Sequence, residues 1–192
     1  MTITRSILSM TLAGALLSAL LPASRAAEPA EPAPPPWPKG YHVEMTITVA
    51  KTRWQPPMVV WIEDANGKYL TTLAVWSKKQ NMKHLKTWWA LTGGDAKPFA
   101  PVTSATRRAG VHQLVWDGLD KDKKPVPAGS YVVRIENTLE GKKNYNLKGP
   151  LLCADQPATA AVEIPEGSKI DSVASHYGPP PAKEEPPPGE YP

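Results

Sequence analysis

The sequence predicts an all-β protein, an immunoglobulin-like antiparallel β-sandwich with one short helix. The first observation is that about seven short runs of the chain alternate apolar and polar residues, as strands with one buried face do. The second is that turn-forming residues separate these runs roughly every eight to twelve positions. The third is that helical spacing occurs in one short stretch, without the strand–helix alternation of a parallel α/β sheet.

Residues 1–26 are predicted to be a signal peptide that is removed on export. Arg5 supplies the positive charge near its start, residues 7–21 are apolar, and residues 24–26 (Ser-Arg-Ala) have the small-x-small pattern of a cleavage site. The apolar run is shorter than a permanent membrane span requires. We therefore expect a periplasmic protein that is not an integral membrane protein after processing.

Net charge and cysteine content exclude some classes of function. Without Arg5 and Arg25 the formal net charge falls from +4 to +2, and the lysines are interspersed with acidic residues. Nucleic-acid-binding domains are usually more basic, so we predict no nucleic-acid partner. Cys153 is the only cysteine, so no internal disulfide can form and the fold must depend on its hydrophobic core.

Composition divides the mature chain into three parts. Residues 27–40 are rich in proline and alanine and are predicted to be an extended, mobile linker. Residues 41–166 contain the alternating runs and form the predicted sandwich domain, which is large enough for one core. Residues 167–192 become polar and then proline-rich, so they are predicted to be a disordered tail.

Two connections between the predicted strands have specific turn chemistry. The runs are residues 41–52, 58–63, 68–76, 111–116, 130–139, 144–152 and 158–164. Asn66-Gly67 predicts a hairpin between the second and third run, because both residues tolerate left-handed backbone. A longer, proline-stiffened connection that contains Gly118 and Pro127 predicts a hairpin between the fourth and fifth.

Helical spacing appears after the third run. Met82, Leu85 and Trp89 fall on one face of a helix, and Gly93-Gly94 marks its end. This helix is expected to cross an end or a face of the sheets. Residues 95–109, which follow it, contain two prolines and are predicted to be a loop.

Two resemblances to known families rest on these motifs. The connection after the fourth run reads WDG and then PVPAGSY, and it resembles the closing hairpin of immunoglobulin-like bacterial modules such as that of the flagellar hook-capping protein. The chain also contains, in this order, VVWIEDANGKYLTTLAVW, HLKTWWAL, VTSATRRAG and the WDG hairpin. That order is similar to the predicted periplasmic proteins grouped as domain of unknown function 2271. The resemblance implies an exported sandwich without established catalytic residues, in a family often found among iron-acquisition and flavin-related membrane redox components.

One loop in this family-like region resembles a flavin attachment site. Residues 102–106 are similar to the acceptor motif of proteins that receive FMN covalently from a periplasmic flavin transferase, in which the last hydroxyl is bonded to the FMN phosphate. The resemblance makes Thr106 the acceptor and places Thr103 within the motif. Ala100 and Ser104 depart from it, since the motif has Asp and usually Gly at these positions.

The residues after Thr106 fit either of two interpretations. Arg107 and Arg108 could pair with the phosphodiester that a bound FMN would present, because guanidinium groups form bidentate hydrogen bonds with phosphate. In the other interpretation, the loop is a Ser/Thr-rich turn that leads into the strand at 111–116, with both arginines in solvent. The sequence leaves both open.

Metal binding and catalysis have little support in the sequence. His42, His84, His112 and Cys153 show no ligand spacing, so no metal site is predicted. No G-x-S-x-G elbow and no spaced Cys and His signature occur, and we predict no enzymatic activity. Among the tryptophans, Trp54 is the one expected to be exposed, because it lies in a break before two prolines.

The function predicted from these observations is that of an exported, non-catalytic accessory or binding module of the cell envelope. It is expected to have a cell-envelope protein partner, and the family resemblance implies an association with redox or iron-uptake components. The alternative is a covalent FMN carrier flavinylated at Thr106. Adhesion through exposed strand edges is a third interpretation.

Overall fold

A computed structural model describes residues 33–139 and 143–180 of the chain, so the predicted signal peptide lies outside the described residues. A six-residue α-helix and two six-residue 3₁₀ helices follow the third strand. The strands are β1 (His42–Val49), β2 (Met58–Asp64), β3 (Tyr69–Trp76), β4 (Thr103–Ser104), β5 (Gly110–Trp116), β6 (Gly129–Leu139), β7 (Lys143–Cys153), β8 (Ala158–Ala161) and β9 (Ile170–Gly178). The helices are the first 3₁₀ helix (Lys79–His84), α1 (Lys86–Leu91) and the second 3₁₀ helix (Lys97–Val102).

The strands form two sheets, which confirms the predicted all-β sandwich. The first sheet has the order β5-β1-β9-β8 and the second has the order β4-β3-β2-β6-β7. All named pairs are antiparallel except the two-residue contact of β4 with β3. The Asn66-Gly67 hairpin between β2 and β3 is also confirmed, with Gly67 at a φ of 81°.

The main core lies between the two sheets. Every second residue of β1 is buried, and the alternation of β7 matches it from the second sheet. The inward-facing side chains of β1 are Val43, Met45, Ile47 and Val49, each at most 2% exposed. A strand with one buried face buries alternate residues because its side chains point to opposite sides of the sheet.

A second, smaller core covers the outer face of the second sheet. The helical segment packs there, because β2 and β3 also present apolar residues on that face. The buried residues of this core are Val59, Trp61, Val75, Met82, Leu85 and Trp88. The predicted helix therefore exists and crosses a face, but Met82 and Leu85 precede α1, and Trp88 is more deeply buried than Trp89.

A buried carboxylate joins this helix to the sheet. Glu136 of β6 has no solvent exposure, and it accepts hydrogen bonds from the backbone N–H groups of Thr87 (3.1 Å) and Trp88 (2.9 Å). Asn144 donates to the same carboxylate through Nδ2 at 2.6 Å. The first N–H groups of a helix lack partners within it, so Glu136 acts as an N-terminal cap supplied by another element.

The hairpin predicted between β5 and β6 is wrong, because these strands lie in different sheets. β5 pairs with β1, whereas β6 pairs with β2 and β7. The connection instead crosses from one sheet to the other, and a small bridge between Leu119 and Pro125 closes its turn. Alternation shows which residues of a strand point inward, but it does not show which strand is the neighbour.

The tail predicted to be disordered from residue 167 contains a central strand. β9 lies between β1 and β8 and pairs with β1 along most of its length. The prediction is wrong for residues 170–178 because polarity was taken as a sign of disorder. Asp171, Ser172 and His176 of β9 are exposed, while Val173, Ser175 and Tyr177 are buried. Residues 181–192 lie outside the described part of the chain.

The predicted linker contributes to the core at its C-terminal end. The Trp37 ring packs edge-on against Trp116 and Tyr177, with centroids 5.2 and 5.3 Å apart. The backbone just before Trp37 is also hydrogen-bonded to the domain, because Ala128 donates its N–H to the Pro35 carbonyl at 2.8 Å. Residues 35–37 are therefore anchored rather than mobile, because an aromatic side chain gains stabilisation by burial.

Two buried tyrosines tie connecting segments to the sheets. Tyr131 at the start of β6 donates its hydroxyl to the Pro127 carbonyl, an arrangement found as the tyrosine corner of immunoglobulin-like domains. Tyr177 of β9 donates to the Ala154 carbonyl at 2.8 Å. Burial raises the pKa of both phenols to about 12, because the charged form loses its hydration.

Candidate functional sites

The predicted flavin acceptor loop lies at the edge of the second sheet, between the second 3₁₀ helix and β5. Thr103 belongs to β4, and its hydroxyl donates to the Phe99 carbonyl at 2.7 Å, so it serves the local structure. Thr106 is half-buried in the coil after β4. The side chains of Arg107 and Arg108 follow it and are exposed.

The two arginines have different surroundings. The Arg107 guanidinium lies 5.3 Å from the centroid of the Trp76 ring, a cation–π contact that leaves the N–H edges of the group available. The Arg108 carbonyl lies 2.8 Å from Nε2 of His112. The loop therefore places the half-buried Thr106 next to two exposed arginines, of which Arg107 contacts the Trp76 ring.

The outer edge of the first sheet is a second candidate site. β5 forms this edge and has no neighbour on its far side among the described strands. Its outward residues include Val111 and Val115, whose exposed fractions are 64% and 58%. A free edge presents unpaired N–H and C=O groups that can form hydrogen bonds with another strand.

A third candidate site is a cleft of about 810 Å³ at one end of the sandwich. Its wall includes the segment between β1 and β2, where the Trp54 indole is 65% exposed, as the sequence predicted. The end of β6 and the turn before β9 also line it, through Thr138 and Lys169. Two backbone hydrogen bonds hold these segments together, from Thr138 to Pro57 (3.1 Å) and from Ala50 to Lys169 (3.1 Å).

The sequence did not predict the cleft, although it predicted that Trp54, one of its lining residues, is exposed. Its positive residues come from two separate parts of the chain, around positions 51–53 and at position 169. No local spacing links them. They meet because β9 pairs with β1, which was the pairing that the sequence did not predict.

The histidines and the cysteine do not come together. Within residues 33–139 and 143–180, no group of three or more His, Cys, Asp or Glu side chains is arranged to hold a metal ion. His42 pairs with Glu44 at 2.9 Å, and His84 lines the cleft. Cys153 is buried, and burial raises the pKa of its thiol to about 12, so its nucleophilic thiolate form is suppressed.

The two packed sheets, with a free edge and an end cleft, define a small all-β sandwich domain, a fold that hosts many unrelated functions. A family model described as predicted periplasmic protein (DUF2271) matches residues 40–170. The chain therefore belongs to this family, and the periplasmic location predicted from its N-terminus agrees with the family's description. No curated protein and no solved structure matches the chain.

The matched region begins just before β1 and ends at the first residue of β9. It includes the Thr106 loop, β5 and most of the residues that line the cleft. In the part of the chain that the structure describes, no helix is long and apolar enough to cross a membrane.

Proposed function

We propose that this protein is a non-catalytic accessory module of the cell envelope that binds an extended segment of a protein partner along β5. Strand addition of this kind uses main-chain hydrogen bonds for affinity and alternate side chains for specificity. The observation that carries the proposal is that β5, read GVHQLVW, has neither a charged residue nor a proline.

The comparison with the other edges supports this choice. Native proteins protect sheet edges with charges, prolines or very short strands. β7, at an edge of the second sheet, carries Lys143, Lys148 and Pro150, while β8 has four residues and β4 has two. Among the described strands, β5 is thus the edge that lacks this protection and exposes two valines.

The expected partner segment is extended, with apolar residues at alternate positions. Such a segment would cover Val111 and Val115, which lie on the same face of β5. Burial of both valines would favour binding, because each contributes apolar area. The family resemblance makes redox and iron-uptake components of the envelope the first partners to test.

The experiment uses the mature full-length chain with the substitutions Val111→Lys and Val115→Lys. Both positions are exposed, so the fold should be kept while the edge gains the charges that prevent strand pairing. The matched control is Leu152→Lys, which charges an exposed leucine (55%) on another edge strand. Crosslinking in the host envelope, followed by mass spectrometry of the crosslinked peptides, identifies the partner and the contact strand.

The proposal predicts crosslinks from β5 to one partner, which both valine variants lose and the leucine variant keeps. Equal crosslinking in all variants would contradict it. Light scattering provides a second readout: a dimer of the wild-type chain that Val111→Lys dissociates would make a second copy the occupant of β5, and would also contradict the proposal.

A second candidate function is that of a covalent FMN carrier. A transferase would move FMN from FAD: the Thr106 hydroxyl oxygen bonds to the flavin-bearing phosphorus, the pyrophosphate bond breaks, AMP leaves and the hydroxyl proton passes to a base. What supports it is the position of Thr106 in a coil next to Arg107 and Arg108, whose guanidinium groups can bind the phosphodiester oxygens. The flavin would supply the redox chemistry, and the sandwich would supply the attachment point and the charge.

The test is co-expression with a periplasmic flavin transferase, followed by measurement of the intact mass. An attached FMN moiety and flavin absorbance are expected in the wild type and should be absent from Thr106→Ala. Thr103→Ala is the control, because the Thr103 hydroxyl already donates to Phe99. An unmodified wild-type mass, or modification that survives Thr106→Ala, would reject this function.

A further inference from the structure

We propose that the cleft at the end of the sandwich binds an acidic sugar, a pyranose ring that carries a carboxylate or a phosphate group. This site is separate from β5 and from the Thr106 loop, since none of their residues lines the cleft. Its volume of about 810 Å³ is within the range of small-molecule sites in proteins, which is about 300–1,000 Å³.

The charge of the cleft selects for an anion. Lys51, Arg53 and Lys169 line it, and no carboxylate does among the residues that the structure describes. This is unusual in a chain whose acidic and basic residues are nearly balanced. Three cations that line one cleft form a local positive field that attracts negatively charged ligands.

The exposed indole of Trp54 favours a ligand that contains a ring. Trp54 presents its side chain to solvent, and the Arg53 guanidinium lies 5.6 Å from its ring centroid. The backbone at this point is also fixed, because the Thr52 hydroxyl donates to the Trp54 carbonyl at 2.6 Å and two prolines follow closely. An exposed aromatic plane next to hydrogen-bonding groups is a suitable platform for the apolar face of a sugar ring.

Two polar atoms in the wall select for hydroxyl groups on the ligand. Oε1 of Gln55 and Oγ1 of Thr138 are buried and have no hydrogen-bond partner among the described residues. Thr138 itself has no solvent exposure. Buried polar atoms are normally paired, so these atoms call for a ligand that offers hydroxyl hydrogens. A sugar carries several hydroxyl groups, so it can donate to Gln55 and Thr138 at the same time as its anionic group binds the lysines.

The backbone at Lys169 has an unusual conformation. Lys169 has a φ of 65°, in the left-handed region that lysine seldom adopts, and the pairing of β1 with β9 shifts register at the next residues. Backbone outliers and bulges concentrate at functional sites, where they aim side chains. Here they set the position of a cation that lines the cleft.

The experiment measures binding of four probes to the mature chain by calorimetry and tryptophan fluorescence. Trigalacturonate carries carboxylates, glucose 6-phosphate carries a phosphate, maltotriose is a neutral trisaccharide, and inorganic phosphate is an anion without a ring. We expect at least one of the two acidic sugars to bind about tenfold or more tightly than maltotriose and phosphate, and to weaken with salt. Which acidic sugar binds identifies whether the natural ligand carries a carboxylate or a phosphate.

Three variants locate the binding. Trp54→Ala should weaken it up to about tenfold through loss of ring contacts, and Lys51→Gln with Lys169→Gln by roughly 10-fold to 100-fold through loss of charged hydrogen bonds. Lys123→Gln is the control, because Lys123 also has a positive φ of 61° but does not line the cleft. Circular dichroism and Tm establish that each variant is folded.

Several outcomes would overturn the proposal. They are the absence of binding of both acidic sugars, equal affinity for maltotriose, equal affinity for inorganic phosphate, and binding that the folded Trp54→Ala and double lysine variants retain in full. None of these outcomes concerns β5, so the proposed strand addition is tested independently.

Discussion

Replacement of Glu136 tests whether one carboxylate of the sheet holds the helical segment in place. In Glu136→Ala, the buried Trp88 N–H loses its only acceptor described here, which costs about 1–3 kcal/mol. Asn144 loses a partner, and the missing side chain leaves a cavity beside α1. Loss of the hydrogen bond from the Thr87 N–H reduces stability only slightly, because Thr87 is exposed and water can replace the carboxylate as the acceptor.

Together these losses reduce the free energy of unfolding by roughly 3–4 kcal/mol, which lowers Tm by roughly 6–16 °C for a domain of this size. Glu136→Gln keeps the shape and one acceptor oxygen, so its expected cost is smaller, about 1–2 kcal/mol. The measurement is urea unfolding followed by tryptophan fluorescence, with near-ultraviolet circular dichroism as a reporter of Trp88 packing.

Glu163→Ala is the matched control, because Glu163 is exposed and should change stability by less than about 0.5 kcal/mol. A loss below about 1 kcal/mol in Glu136→Ala would refute the reasoning, because the carboxylate would then not be needed as a cap. An alanine variant as stable as the glutamine variant would refute it as well, since the two differ in the acceptor that they retain.

Two further predictions concern the anchored N-terminal segment and the buried tyrosines. In Gly118→Ala, the new Cβ would lie 2.5–2.9 Å from ring atoms of Trp37, so we expect a loss of about 1–3 kcal/mol beyond that of Gly40→Ala, which has a similar positive φ and open space around it. Equal Tm values in the two variants would contradict this. Because burial raises the pKa of Tyr131 and Tyr177 from 10 to about 12, the stability that these neutral phenols confer is fully present below about pH 10 and is lost as the pH rises through 12. A spectroscopic titration of tyrosinate formation checks this prediction. Titration of both phenols with a pKa near 10 in the native protein would contradict it.

Local sequence chemistry was sufficient for the elements themselves. Strand alternation located seven of the nine strands that the structure describes; it missed the short β4, which lies in a predicted loop, and β9. Asn66-Gly67 specified its hairpin because two residues that accept left-handed backbone determine a tight turn without help from the rest of the chain. The exposure of Trp54 was also predictable, since the neighbouring prolines interrupt any strand.

Contacts between distant residues were beyond the sequence. The β5–β6 connection has all the turn residues of a hairpin, yet β5 pairs with β1, more than sixty positions earlier in the numbering. Turn chemistry reports that the chain changes direction, whereas the choice of sheet depends on the total apolar area that each arrangement buries. The contact of Trp37 with Trp116 could not be predicted for the same reason.

By itself, the sequence predicted an all-β sandwich of a periplasmic family, because alternation, turn residues and family motifs are all local properties. Tertiary structure decided which strand edge is free, and it brought Lys51, Trp54, Thr138 and Lys169 to one cleft. Pairing of β9 with β1 created both features, because it fixes β5 at the edge of the sheet and brings Lys169 next to the β1–β2 connection. That pairing joins residues 121 to 136 positions apart, and the apolar burial that stabilises it cannot be predicted from any local pattern.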